Sequence, residues 1–168
     1  MWRNNISDKK IIFERIVEQS KVHPDKLALI DAFSKKEMTY SKMIEAATKW
    51  AEIFQNEQSK FVVYIVGSDI EEASIIIACS ALNICFVPLN PDETDERLNL
   101  ILKKLKIIPL LLSRGRKINL GGATLLRNFK GIDIFTFKTH RRENQKETIE
   151  ACYGISNRRD HKPTDESM

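Results

Sequence analysis

Three cysteines, three histidines and two glycine-bearing stretches are the first places to look for chemistry in this 168-residue chain. Cys79, Cys85 and Cys152 form neither a metal-ligand spacing nor an even disulfide framework. Cys79 and Cys85 fall in the most apolar part of the sequence, where free cysteine behaves as a small core residue. His23, His140 and His161 stand in polar or proline-adjacent contexts without a Cys, Asp or Glu at ligand spacing, which argues against a metal site. Gly67-Ser68-Asp69 could bring a phosphate to the N–H groups of a following helix. One glycine makes neither a dinucleotide fingerprint nor a Walker loop, however, and Asp69 would repel an anion, so the stretch reads as a turn with a helix cap. Gly121-Gly122 has no strong strand before it and no lysine at phosphate-loop spacing, and reads as a loop. Two basic clusters, Lys138 to Arg142 and Arg158 to Lys162, could hold RNA or an acidic lipid surface electrostatically. Neither interleaves an aromatic residue that could stack on bases, so both read as solvated linker. No residue of the chain is therefore assigned a catalytic, cofactor-binding or metal-binding role.

The elements that would position any site follow from periodicity. Ser7 and Asp8 can cap a helix carrying Ile12, Phe13, Ile16 and Val17 on one stripe, ending before His23-Pro24. Leu27 to Asp31 and a second short strand around Met38-Thr39-Tyr40, joined by Ser34-Lys35-Lys36, predict a hairpin. Ser41 opens a helix with Met43, Ala47, Trp50 and Phe54 on one face. Phe61 to Val66 is a run rich in β-branched residues, of the kind buried on both faces of a parallel sheet. The most apolar stretch then runs Ile75 to Pro91. It predicts a buried helix, a tight turn at Asn83 in a left-handed conformation, and a buried strand from Cys85 to Leu89. Asp92 to Glu96 puts four acids at the start of a helix that carries Leu98, Ile101, Leu102 and Leu105 and ends in lysines, the sense the helix dipole favours. Ile107 to Leu112 predicts another strand. Ile118 to Phe129 predicts one or two helical turns around Leu125, Leu126 and Phe129, and Ile132 to Phe137 a strand. The fold class is α/β: a mostly parallel sheet with helices on both faces, preceded by a β-hairpin. Residues 1–137 form one lobe and 138–168 a polar, basic linker or tail.

Three stretches carry a family likeness. Ser80 to Pro91, ending Phe86-Val87-Pro88-Leu89-Asn90-Pro91, resembles the second core motif of adenylate-forming enzymes, usually Leu-Lys-Ala-Gly-Gly-Ala-Tyr-Val-Pro-Leu-Asp-Pro. Asn83 and Ile84 replace the usual glycines. Met38-Thr39-Tyr40-Ser41-Lys42-Met43 is similar to the first core motif, Leu-Thr-Tyr-x-Glu-Leu, with Lys42 in the glutamate position. Pro24 to Asp31 looks like the family's opening strand. The resemblance covers about Phe13 to Ser113 and places the chain with the first lobe of the N-terminal domain of acyl-CoA synthetases and nonribosomal peptide synthetase adenylation domains. It implies an AMP-dependent ligase that uses ATP and Mg to activate a carboxylic acid as an acyl-adenylate. The acyl group then passes to a thiol, CoA or a carrier-protein phosphopantetheine. The family's phosphate loop, Thr-Ser-Gly-Thr-Thr-Gly-x-Pro-Lys, and its later motifs are absent from these 168 residues. The chain itself is therefore expected to hold no cofactor, to be inactive alone, and to need the remainder of an adenylating enzyme as its partner. The alternative is a non-catalytic interaction or regulatory domain derived from that lobe.

Composition narrows the other classes. Apolar residues are 42% and charged residues 30%, which suits a globular domain. The net charge of +4 divides into −1 over residues 1–113 and +5 over 114–168, so a nucleic-acid partner would have to be held by the tail alone; none is expected. The charged N-terminal decapeptide lacks the apolar core of a secretory signal, which points to the cytoplasm. The apolar window Ile75 to Leu89 is shorter than the roughly 20 residues a bilayer helix needs, so no membrane span is expected.

Overall fold

A computed structural model of the protein describes residues 12–65, 67, 70–105 and 110–137. The helix caps expected at Ser7 and Asp8, the Ser68-Asp69 pair, residues 107–109 of the expected strand and the whole of 138–168 lie outside the described residues.

The chain opens with α1 (Ile12–Val22), then β1 (Leu27–Ile30) and β2 (Glu37–Thr39), which pair antiparallel as a separate two-stranded sheet. Asp31 builds the turn between them. Its carboxylate accepts the Phe33 and Ser34 N–H groups and the Ser34 hydroxyl, and Lys35 takes the left-handed conformation at φ 57°. The Ser34 hydroxyl first, then the Phe33 N–H, hold the Asp31 carboxyl below its usual range. A register shift between Leu27 and Leu29 turns Leu27 and Ile30 outward while Ala28, Leu29 and Met38 pack inward.

α2 (Tyr40–Asn56) follows without a break. Its cap is Thr39, whose hydroxyl accepts the Lys42 N–H, and not Ser41 as the sequence suggested. Ser41 instead lies 3.0 Å from the Thr39 hydroxyl. Starting the helix at Tyr40 lets the strand's last residue serve as the cap, with an extended backbone at φ −81° and ψ 165°. The face read from the sequence is the buried one: Met43, Ala47, Trp50 and Phe54 all lie in the interior.

The main sheet has five strands in the order β4-β3-β5-β7-β6. β3 (Phe61–Ile65), β4 (Cys85–Leu89) and β5 (Leu110–Arg114) are parallel, joined by α3 (Glu71–Ala81) and α4 (Asp95–Leu105). The antiparallel pair β6 (Ala123–Phe129) and β7 (Ile132–Phe137) completes it, with β7 against β5. The helical turns expected around Leu125 and Phe129 are therefore a strand. The apolar spacing there is interrupted by an irregularity between Leu125 and Arg127, which disguises the alternation of a strand. That same irregularity moves Phe129 onto the face of Trp50, where the two rings meet edge to face at 4.9 Å.

Both faces of the sheet are covered. Val62, Tyr64, Leu110, Leu112, Ile132 and Ile134 pack against Trp50, Phe54, Ile75, Ala78 and Cys79 of α2 and α3. On the opposite face Val63, Ile65 and Leu111 pack with Leu98 of α4 and with Leu120. α1 forms an outer layer, where Phe13 and Ile16 join Met43, Ala47 and Ile77. β3 is buried along its entire length, as its continuous apolar run required.

The α3–β4 turn closes as expected, but β4 is an edge strand of intermediate to exposed residues, Cys85 included, and not the buried strand its apolar run suggested, because only β3 flanks it. Asn83 has φ 53°, the Ile84 N–H reaches the Cys79 carbonyl at 2.8 Å and the Asn83 N–H reaches the Ser80 carbonyl at 3.4 Å. These are the two bonds of a Schellman ending, with asparagine in the place glycine most often takes. Asn83→Ala is expected to lower stability by about 1 kcal/mol and Asn83→Gly to leave it equal or higher, because a Cβ without a local hydrogen-bonding group is what the left-handed region penalises. Urea denaturation of the two variants side by side checks this; equal losses would show that the turn tolerates any side chain.

Burial acts on chemistry at Cys79. Desolvation, reinforced by the nearby Cys85 thiol, pushes its pKa from 9.0 up to about 12. A thiol whose folded value lies above its unfolded value contributes stability that is intact below about pH 9 and lost as pH rises toward 12. The expected slope from this group is about 1.4 kcal/mol per pH unit above 9. Denaturation midpoints from pH 8 to 10.5 should fall more steeply for the native sequence than for Cys79→Ala. Parallel curves would exclude the effect.

Candidate functional site at the carboxyl edge of the sheet

In an open α/β sheet, ligands bind beyond the carboxyl ends of parallel strands, where successive crossovers leave on opposite faces. Here β3 hands over to α3 on one face and β4 to α4 on the other, which makes this edge the candidate site. Three parallel strands end there, at Ile65, Leu89 and Arg114, and the β6–β7 turn comes alongside because Arg114 is paired with Ile132.

That turn needs two residues in the left-handed region, and Lys130 at φ 52° and Gly131 at φ 77° supply them. The Arg114 guanidinium donates to the Lys130 carbonyl at 3.0 Å, fixing the turn to the end of β5. The Lys130 ammonium reaches over the Phe129 ring, 5.9 Å from its centroid, and pairs with Glu71 at 2.6 Å. Glu71 begins α3 and is nearly buried. Its second oxygen accepts the Trp50 indole N–H at 3.2 Å. One carboxylate thus links α2, α3 and the β6–β7 turn.

On the β4 side of the edge the second motif stretch takes up its position. Val87 and Leu89 pack toward α4, while Pro88 lies on the outer strand opposite Tyr64. Asn90 accepts the Asp92 N–H at 2.9 Å, turning the chain into the next helix. Thr94 then caps α4 by accepting the Arg97 N–H at 3.2 Å. Arg116 binds this entry from two sides, donating to the Pro91 carbonyl at 3.1 Å and pairing with Asp95 at 2.6 Å. One of the acids read as dipole partners of the helix, Asp95, is therefore also an anchor for the β5–β6 connection.

Sequence reasoning singled out Thr39, Asn83 and the Val87 to Pro91 stretch, and the structure gives each a positioning role. The motifs are not brought together: Thr39 lies at the hairpin and Asn90 at the sheet edge. Gly67 sits beside the end of β5, where a Cβ would lie 3.6 Å from the Arg114 Cβ. Gly121-Gly122 forms a turn before β6, as expected. Missed from sequence was the set Glu71, Arg114, Arg116 and Lys130. The available signals were an acid at the head of an otherwise apolar helix and a Lys-Gly pair between two apolar runs, which is a hairpin-turn signature in weak form. Among the described residues, no group of three or more His, Cys, Asp or Glu could hold a metal ion, and no helix is long and apolar enough to cross a membrane.

No family model matches the chain, and no curated protein matches it. Solved structures do. IdnL1 is 21% identical with a TM-score of 0.59, the match covering 79% of this chain and 30% of that one. The nonribosomal peptide synthetase FmoA3, in its α-methyl-L-serine-AMP-bound form, is 15% identical with a TM-score of 0.59, covering 66% and 13%. The N-terminal domain of FACL13 from Mycobacterium tuberculosis is 20% identical with a TM-score of 0.51, covering 55% and 24%. The α/β fold expected from the sequence is thus shared with these solved chains, and the chain spans less than a third of the length of each of them.

The Glu71 bridge generates a measurable expectation. Lys130→Met should cost about 1–2 kcal/mol, because it leaves a nearly buried carboxylate short of a charged donor; the half-exposed lysine keeps the loss below that of a fully buried pair. Glu71→Gln made in the Lys130→Met background should recover part of that loss. Urea unfolding followed by tryptophan fluorescence reads both variants, and strictly additive losses would show that the two side chains are not coupled.

Proposed function

We propose that this chain is the opening lobe of an AMP-dependent synthetase or ligase. In the complete enzyme a carboxylate attacks the α-phosphorus of Mg-bound ATP, giving acyl-adenylate and pyrophosphate, and a thiol of CoA or of a carrier-protein phosphopantetheine then displaces AMP. The observation that carries the reading is the coincidence of two independent likenesses. The fold is shared with N-terminal domains such as that of FACL13, and the stretches resembling the family's core motifs occupy the strand ends and helix entries that hold this fold together. That one of the matched structures holds an aminoacyl-AMP is in keeping with the activity proposed.

Within this lobe the motif residues set backbone geometry and bind no nucleotide. The phosphate loop is absent from the 168 residues, so the lobe acts as a wall of the site and relies on the remainder of an adenylating enzyme for ATP, Mg and substrate. The second reading, a non-catalytic interaction or regulatory domain built on the same lobe, draws on the purely structural work of Thr39 and Asn90. The outward apolar residues of the hairpin are in keeping with the first reading: Ile30 and Phe33 are 55% and 89% exposed, as on a lobe that packs against a further part of an enzyme.

ATP–pyrophosphate exchange decides between the two. It is to be measured over a panel of carboxylic and amino acids, on the 168-residue chain and on any longer product of the same gene that carries a Thr-Ser-Gly-rich segment. The expected result is no exchange from the shorter protein and acid-dependent exchange from the longer one. Exchange by the 168-residue chain alone would refute its role as an incomplete lobe. Silence from both proteins would favour the interaction domain.

A further inference from the structure

We draw no further inference here: the strongest candidate, the outward apolar face of the β1–β2 hairpin with Leu27, Ile30 and Phe33 exposed, already counts toward the proposed reading, and nothing in the structure shows what covers it.

Discussion

The structure depends on burying one strand from both sides. β3 has no exposed residue along its five positions, and its neighbours on either side run parallel to it. A strand in that position can satisfy its backbone only through the two adjacent strands, and its side chains only through a helical layer on each face. The rest of the architecture answers those two demands. α3 must cross on one face to deliver β4, and α4 on the other to deliver β5, because both faces have to be closed. Trp50, with no exposed surface, fills the wide side of the first layer, and Leu98 is the corresponding fully buried residue of the second.

The polar groups are placed where this burial would otherwise leave loose ends. Each connection at the carboxyl edge is tied by a side chain from a distant part of the sequence: Arg114 to the β6–β7 turn, Arg116 to the α4 entry, Lys130 to α3. These are charge-assisted contacts, and the one to the nearly buried Glu71 carboxylate gains the most, because that group is largely withdrawn from water, whereas the Lys130 carbonyl and Asp95 are more exposed. The result is an edge whose backbone is fixed although its strands are only five residues long. The stretches that resemble a catalytic family's motifs are held at this edge and at the hairpin by local hydrogen bonds, Thr39 capping α2 and Asn90 turning the chain toward α4.

How much of this was legible in the sequence depended on the range of the interaction. Much of what is decided within four or five residues was readable. The periodic face of α2, the buried run of β3, the left-handed Asn83 and the acid-headed α4 all follow from local spacing. The cap at Thr39 was misplaced by two positions because Ser41 is an equally good cap in isolation, and only the hairpin pairing decides that the helix begins at Tyr40. β6 was misread as helical turns because its irregularity near Leu126 breaks the strand period, and because five of its seven residues are exposed and so show no apolar alternation. The Glu71–Lys130 pair joins residues 59 positions apart and the Arg116–Asp95 pair residues 21 apart. No local pattern encodes either; each exists only because the crossovers bring the strand ends side by side.

Pro88 gives the two margins of the sheet unequal character. It stands on β4, the outermost strand on that side, and has no N–H to offer a further strand. The opposite margin, β6, is seven residues long and contains no proline. The two margins therefore differ: β4 has one position without a backbone N–H, whereas every residue of β6 carries one. A residue that reads as a family signature thus also withdraws one hydrogen-bond donor from the rim of the sheet.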